Sequence, residues 1–199
     1  MAQRLSAKDW AREALVVISE GGLGALAVES LARRLGATKG SFYWHFENRA
    51  ALVAAALERW ELTHTEGTIA LAESPLPDGG QPSPAEQLRR LLTTVVGYTR
   101  HGDLEVALLA SADDPQVAPV LRRVTERRIA YVARLYEGLG LAPEDARRSA
   151  VLGVSVFLGH LQYARIGTVP PEPTGPEWED YLELVIRTLM PADTPAGQR

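Results

Sequence analysis

What most constrains the fold of this chain is the spacing of its apolar residues, which follows the helical period from one end to the other. Ala11, Ala14, Leu15 and Ile18 fall at i, i+3, i+4 and i+7, the mark of one helix face. Ser6, with Asp9 three residues on, resembles a capping box ahead of them, and Gly21-Gly22 ends the segment. Val28, Leu31, Ala32 and Leu35 repeat the spacing in a second, short helix closed by Gly36. A third covers about residues 39–46 with Phe42 and Phe46 on one face. A fourth runs from near Asn48 to about Ser74, with Val53, Leu57 and Trp60 as its inward stripe.

Residues 74–84 then bring four prolines and two glycines, which no helix tolerates, and predict an exposed, mobile loop. Leu88, Leu91, Leu92 and Val95 define a fifth helix, and an apolar segment follows at 104–110. Asp113-Asp114 reads as a helix start before Pro115, which opens a long Arg-rich helix to about Leu139 with Val117, Val120, Leu121 and Val124 inward. The next helix, about 143–166, is apolar nearly all round between Ala150 and Leu161, so it is buried on several sides, by its own domain or by another chain. After Pro170, Pro171, Pro173 and Pro176 a last helix presents Trp178, Tyr181, Leu182, Val185 and Leu189, ahead of a frayed tail. No repeat and no alternating strand pattern occurs. The expected fold is all-α, with about nine helices.

Composition limits the chemistry. The chain has 199 residues, 46% of them apolar and 23% charged, the balance of a globular domain. With no cysteine there is no disulfide framework, thiolate zinc site or cysteine nucleophile. The histidines are too few and too scattered for metal-ligand spacing, so neither metal nor cofactor is expected. No G-x-S-x-G elbow, phosphate-binding glycine loop or HExxH occurs, and no catalytic residue is assigned. The longest wholly apolar run without glycine, residues 50–57, is far short of a membrane span. The N-terminus carries no apolar h-region, which makes a cytoplasmic protein the expectation.

The formal net charge of −4 hides an asymmetry: residues 1–50 hold seven basic and five acidic side chains, the other 149 fourteen and twenty. A mildly basic head permits a polyanion partner at that end. Within it, two short helices meet at Gly36-Ala37-Thr38, and neither is long enough to be stable alone. Such a pair fits a helix-turn-helix, whose second helix enters the DNA major groove. The surface of that helix suits the task. Thr38 can cap it, Lys39 and Ser41 lie where recognition helices touch base edges, and Gly40 lets the backbone come close. Tyr43, Trp44 and His45, with Arg49 beyond, suit phosphate positioning. Tyr43 and Trp44 could instead pack on helix 4, and His45 could be a helix-end hydrogen-bonding residue. Phe42 and Phe46 read as core, Arg33-Arg34 as a solvated face, and Arg122-Arg123 and Arg127-Arg128 as exposed surface.

The stretch VESLARRLGATKGSFYWHF, residues 28–46, followed by Asn48-Arg49-Ala50-Ala51-Leu52, resembles the DNA-binding module of the TetR family of bacterial transcriptional regulators. The resemblance covers about residues 6–57, and its GxxKGSFYWHFxNRxAL run is far more specific than the helix-turn-helix spacing. It implies a DNA-binding domain at 1–50, joined by helix 4 to a ligand-binding and dimerisation domain at 51–199. It further implies a homodimer on a palindromic operator in double-stranded DNA, released by a small-molecule effector. Candidate effector residues are Trp60, His64, Tyr98, His101, Tyr131, Phe157 and His160, a set that suits a mainly apolar or aromatic ligand. Aromatics at this spacing are also ordinary core. Candidate dimer residues are Val151, Val154, Phe157, Leu158, Leu161, Trp178, Tyr181, Leu182, Val185 and Leu189. One position departs from the family, which commonly has Thr or Ser just before helix 2, capping it and touching a phosphate. Here it is Ala27, and a missing cap costs about 1 kcal/mol of helix stability. Glu29 suits the helix dipole but sits poorly beside a phosphate, so DNA contact moves to Lys39, Tyr43 and Arg49. The alternative is a helical ligand-binding or protein-interaction module that has lost operator binding.

Overall fold

The computed structural model of the chain describes residues 5–97, 102–167 and 175–191, and among them every regular element is helical. The helices are α1 (Ala7–Gly21), α2 (Val28–Arg34), α3 (Lys39–Tyr43), α4 (Arg49–Glu61), α5 (Gly67–Ala72), α6 (Pro84–Gly97), α7 (Gly102–Leu109), α8 (Val117–Gly138), α9 (Pro143–Arg165) and α10 (Pro176–Leu189). A π-helical turn, Leu62–Glu66, joins α4 to α5 without a break. Taken as one rod, they bring the described residues to nine helices. Two compact units result, Met1–Glu66 with His101–Thr125, and Gly67–Arg100 with Glu126–Arg199.

In the first unit α1 does what its spacing demands: Ala11, Ala14, Leu15 and Ile18 are all buried. The Asp9 carboxylate accepts from both the backbone N–H and the hydroxyl of Ser6, at 2.9 and 2.7 Å, which fixes the start of the helix. Those two hydrogen bonds hold the Asp9 carboxyl below its ordinary pKa. Trp10 is wholly buried and meets Phe42 edge-on at 5.5 Å, so the longest helix of the head clamps the shortest. Leu52, Val53, Leu57 and Trp60 of α4, and Leu104 and Leu108 of α7, complete this core. Asp114 opens α8 by accepting from the N–H groups of Gln116 and Val117. The helix therefore begins two residues after Pro115.

In the second unit α8 contributes Ile129, Tyr131, Val132, Leu135 and Tyr136 to a core shared with Leu88, Leu91, Leu92 and Val96 of α6 and with Trp178, Val185, Ile186 and Leu189 of α10. Val95 is only half-buried, and Val96 takes its place. The Tyr136 hydroxyl donates to the Leu189 carbonyl at 2.6 Å and ties the end of α10 to α8. At Gly138 an added Cβ would stand 2.8 Å from the Pro84 ring, so glycine is what lets α6 start against the end of α8. The 74–84 segment is closed by its own hydrogen bonds, Leu76 N–H to the Gly80 carbonyl and Gly79 N–H to the Leu76 carbonyl, and by Arg90 donating to the Ser74 carbonyl.

Two boundaries differ from the periodicity. Helix 3 stops at Tyr43, because Trp44 and His45 turn the chain so that Phe46 re-enters the core beside Phe42, the rings stacked at 5.6 Å. Helix 4 does not run on to Ser74 in one register. A regular helix would continue the Val53–Leu57–Trp60 stripe through His64 and Leu71. The π turn admits one extra residue, and Thr65, Thr68, Ile69 and Ala72 are buried instead, leaving His64 half-exposed and Leu71 exposed.

Candidate nucleic-acid interface

The turn between α2 and α3 needs a left-handed residue, and Gly36 supplies it with φ 62°. The Ala37 N–H reaches back to the Ala32 carbonyl at 2.8 Å and the Gly36 N–H to the Arg33 carbonyl at 3.1 Å, which together satisfy the end of α2. Thr38 then caps α3, its hydroxyl oxygen accepting from the Ser41 N–H at 3.1 Å. Ala27 offers α2 no side-chain cap, and Asn48 caps α4 by accepting from the Ala51 N–H at 2.9 Å.

Phe42 is wholly buried, and the residues around it stand in solvent. Thr38, Lys39 and Gly40 are exposed, Ser41 and His45 half-exposed. Tyr43 keeps 55% of its surface in solvent and Trp44 85%, so neither ring is part of the core. The result is a short rod with an ammonium, a phenol and an indole on its outer side, held from behind by aromatic packing.

The charges around this rod are paired in a way that spacing does not reveal. The Lys39 ammonium lies 2.7 Å from the Glu29 carboxylate, an exchange between the starts of α3 and α2. The pair holds the lysine above its ordinary pKa and the glutamate below. Arg34 is no loose solvated residue: it donates to Glu13 at 2.7 Å and to both carboxylate oxygens of Glu20, fastening α2 to α1. Arg49 donates to the Leu26 carbonyl at 2.7 Å and to the Leu23 carbonyl at 2.6 Å, so its fork closes the loop that enters α2.

Of the effector candidates, Trp60 and His64 lie in the first unit. Trp60 is wholly buried and its indole N–H donates to Glu105 at 3.2 Å, while His64 Nδ1 sits 2.8 Å from the Thr63 hydroxyl. Glu105 is a buried carboxylate on α7, and its one sequence signal is a single acid inside the apolar run LEVALLA. Tyr131, Phe157 and His160 lie in the second unit. The Tyr131 hydroxyl approaches Gln87 at 3.3 Å, with its pKa pushed up to about 12 by burial, and the Arg128 guanidinium stands 5.9 Å above the Phe157 ring. His160 is brought to Tyr181 and Trp178: Nδ1 is 3.0 Å from the Tyr181 hydroxyl, the two rings stack at 5.4 Å, and Nε2 is buried outside hydrogen-bond geometry to any described group. Burial lowers its pKa, and the Val96 backbone acts in the opposite sense. Tyr98 and His101 lie outside the described residues.

Of the dimer candidates, Leu161, Trp178, Val185 and Leu189 are buried within their own unit. Val151 is 43% exposed, and Val154, Phe157, Leu158, Tyr181 and Leu182 are half-buried. Leu152 and Tyr163 of α9, Ile166 just past its end and Leu184 of α10 add exposed apolar surface. No described helix is long and apolar enough to cross a membrane, and no described cluster of His, Asp and Glu could hold a metal ion.

Residues 12–56 match the model for bacterial regulatory proteins of the tetR family. Among solved structures, a TetR transcriptional regulator from Legionella pneumophila is 17% identical with a TM-score of 0.73, over 94% of this chain and 99% of that one. A transcriptional regulator from Rhodococcus sp. Rha1 is 21% identical with a TM-score of 0.71, over 93% and 96%. The regulatory protein TetR from Rhodobacter sphaeroides is 22% identical with a TM-score of 0.71, over 93% and 97%. At such identities the likeness is one of fold. No curated protein matches significantly.

Proposed function

We propose, from the match of residues 12–56 to the model for bacterial regulatory proteins of the tetR family, that the chain is a non-enzymatic, ligand-responsive repressor that binds a palindromic operator as a homodimer. The observation that carries this reading is the two-sided build of α3, with Phe42 locked in the core and Lys39, Tyr43 and Trp44 presented to solvent. Thr38, Gly40, Ser41 and His45 complete the face, and Arg49 holds it in place from the start of α4.

Dimerisation runs through α9 and α10, where a lone protomer leaves Val151, Leu152, Tyr163, Ile166 and Leu184 in water. Exposed apolar residues in such number on two consecutive helices suit an interface between copies. A two-fold pair of α3 rods about 34–36 Å apart would enter successive major grooves. The effector, mainly apolar or aromatic, acts by favouring another separation, with α4 as the lever because it starts beside the reading rod and carries Trp60 further along, ahead of His64 in the π turn. A coupling of about 1–3 kcal/mol is typical of such systems. The compartment is the cytoplasm.

Lys39→Ala and Tyr43→Ala test the head. Each weakens binding to the DNA upstream of the coding region, while sedimentation and circular dichroism stay at wild-type values, and affinity falls steeply with salt. Unchanged affinity in both variants would remove α3 from the mechanism. Ala27 and the engagement of Lys39 by Glu29 favour a second reading, a helical ligand-binding or protein-interaction module without operator binding. A mobility shift with that same upstream DNA separates the two.

A further inference from the structure

The first residue of α3 and the first turn of α2 meet in one contact, Lys39 Nζ to Glu29 Oε1 at 2.7 Å. Both side chains are largely in solvent, 54% and 72% exposed, so either can exchange its partner without disturbing the core. Arg33 stands one turn beyond Glu29 on the same helix, is exposed, and is the second cation whose charge acts on that carboxylate. The glutamate therefore lies between two basic groups, one on the reading rod and one beside it.

We infer that Glu29 limits the affinity of the reading head by competing with a DNA phosphate for Lys39. Docking moves the ammonium from the carboxylate to the phosphate and leaves Glu29 beside the duplex without its Lys39 partner. Phosphate neutralisation drives binding by releasing condensed counterions. A lysine that leaves a carboxylate behind beside the duplex gives little net release, because the freed anion gathers a cation of its own. The residue thus keeps the head from binding any duplex tightly through charge alone and raises the relative weight of base contacts. This rests on the DNA-binding reading above.

The test uses the full chain and two fluorescein-labelled duplexes of about 30 base pairs, long enough for two half-sites. One is selected by the wild-type chain from a random library, the other is of unrelated sequence. Fluorescence anisotropy is followed across a sodium chloride series for wild type, Glu29→Gln, Lys39→Ala and the double variant. Glu29→Gln is expected to bind the unrelated duplex ~3- to ~10-fold more tightly at low salt, with the log–log salt slope steeper by about 0.9 per protomer. On Lys39→Ala the same change is expected to have no effect, since the contested group is gone. An unchanged dissociation constant and slope in Glu29→Gln, with wild type binding normally, overturns the exchange and leaves the regulator reading standing. A gain of full size in the Lys39→Ala background also overturns it, since Glu29 would then act by plain repulsion. A wild-type chain that binds neither duplex sinks the regulator reading and this one with it.

Discussion

The Trp60 indole N–H on α4 donates to the Glu105 carboxylate on α7 across 3.2 Å, with both side chains inside the core of the first unit. A carboxylate buried there has to be hydrogen-bonded. Glu105→Ala removes this acceptor from the indole and opens a space beside it, and is expected to lower the unfolding free energy by about 1–3 kcal/mol. Glu105→Gln keeps an acceptor of nearly the same size and should lose less than half as much. Urea titration followed by circular dichroism measures both, and equal losses would show that the charge matters and the acceptor does not.

Arg49 makes a different kind of link, a guanidinium fork on the carbonyls of Leu23 and Leu26. Hydrogen bonds to a charged donor are worth about 1.5–3 kcal/mol, so Arg49→Ala should destabilise the head by roughly that amount. Arg49→Lys, a point charge on a flexible stem, should recover only part of the loss. The salt slope of DNA binding distinguishes a staple from a phosphate contact. It stays at the wild-type value if Arg49 serves the loop alone, and falls by about 0.9 per protomer if the side chain also reaches DNA.

His160 is expected to make stability depend on pH. Burial lowers its pKa below the ordinary 6.5, so the unfolded chain binds a proton that the folded chain resists. Its contribution is fully present above the unfolded value of about 6.5 and is lost as the pH falls through the depressed folded value. His160→Gln removes this component. Chemical denaturation from neutral pH down to mildly acid pH should therefore show a steeper loss for wild type than for the variant. Parallel curves would mean that the imidazole titrates alike in both states.

The exposed side of α9 gives a prediction about assembly. Leu152→Glu sets a carboxylate on the apolar surface that a partner would cover, and a charge buried without a counter-ion costs several kcal/mol. The self-association constant should weaken by about 100-fold or more, with helix content unchanged, as read by sedimentation velocity. An unaltered sedimentation coefficient would place the dimer contact elsewhere.

Much of the architecture was legible in the spacing of apolar residues. The α1 stripe, Leu31 and Ala32 of α2, Phe42 and Phe46, and Val53, Leu57 and Trp60 are all buried where the helical period puts them. The outward side of α3 was legible only in part: Tyr43 and Trp44 lie off the Phe42 face but could have packed on α4, and Lys39, on the Phe42 side by spacing, stands in solvent as the first residue of its helix. What escaped depends on partners far along the chain. Glu105 lies 45 residues from Trp60, and Arg49 lies 23 from Leu26, distances over which no local pattern carries information. The register slip after Trp60 escaped because a single inserted residue leaves composition and mean spacing almost unchanged. Arg34 looked free only because its acceptors, Glu13 and Glu20, belong to another helix.

The contrast among the four tryptophans gives the protein an intrinsic optical reporter. Trp10, Trp60 and Trp178 are shielded at 0%, 0% and 6% exposure, while Trp44, just past the end of α3, stands at 85%. A water-borne collisional quencher such as iodide therefore extinguishes one emitter selectively. Shielding of that emission upon addition of duplex would follow engagement of the rod in real time, with no dye attached and no residue replaced.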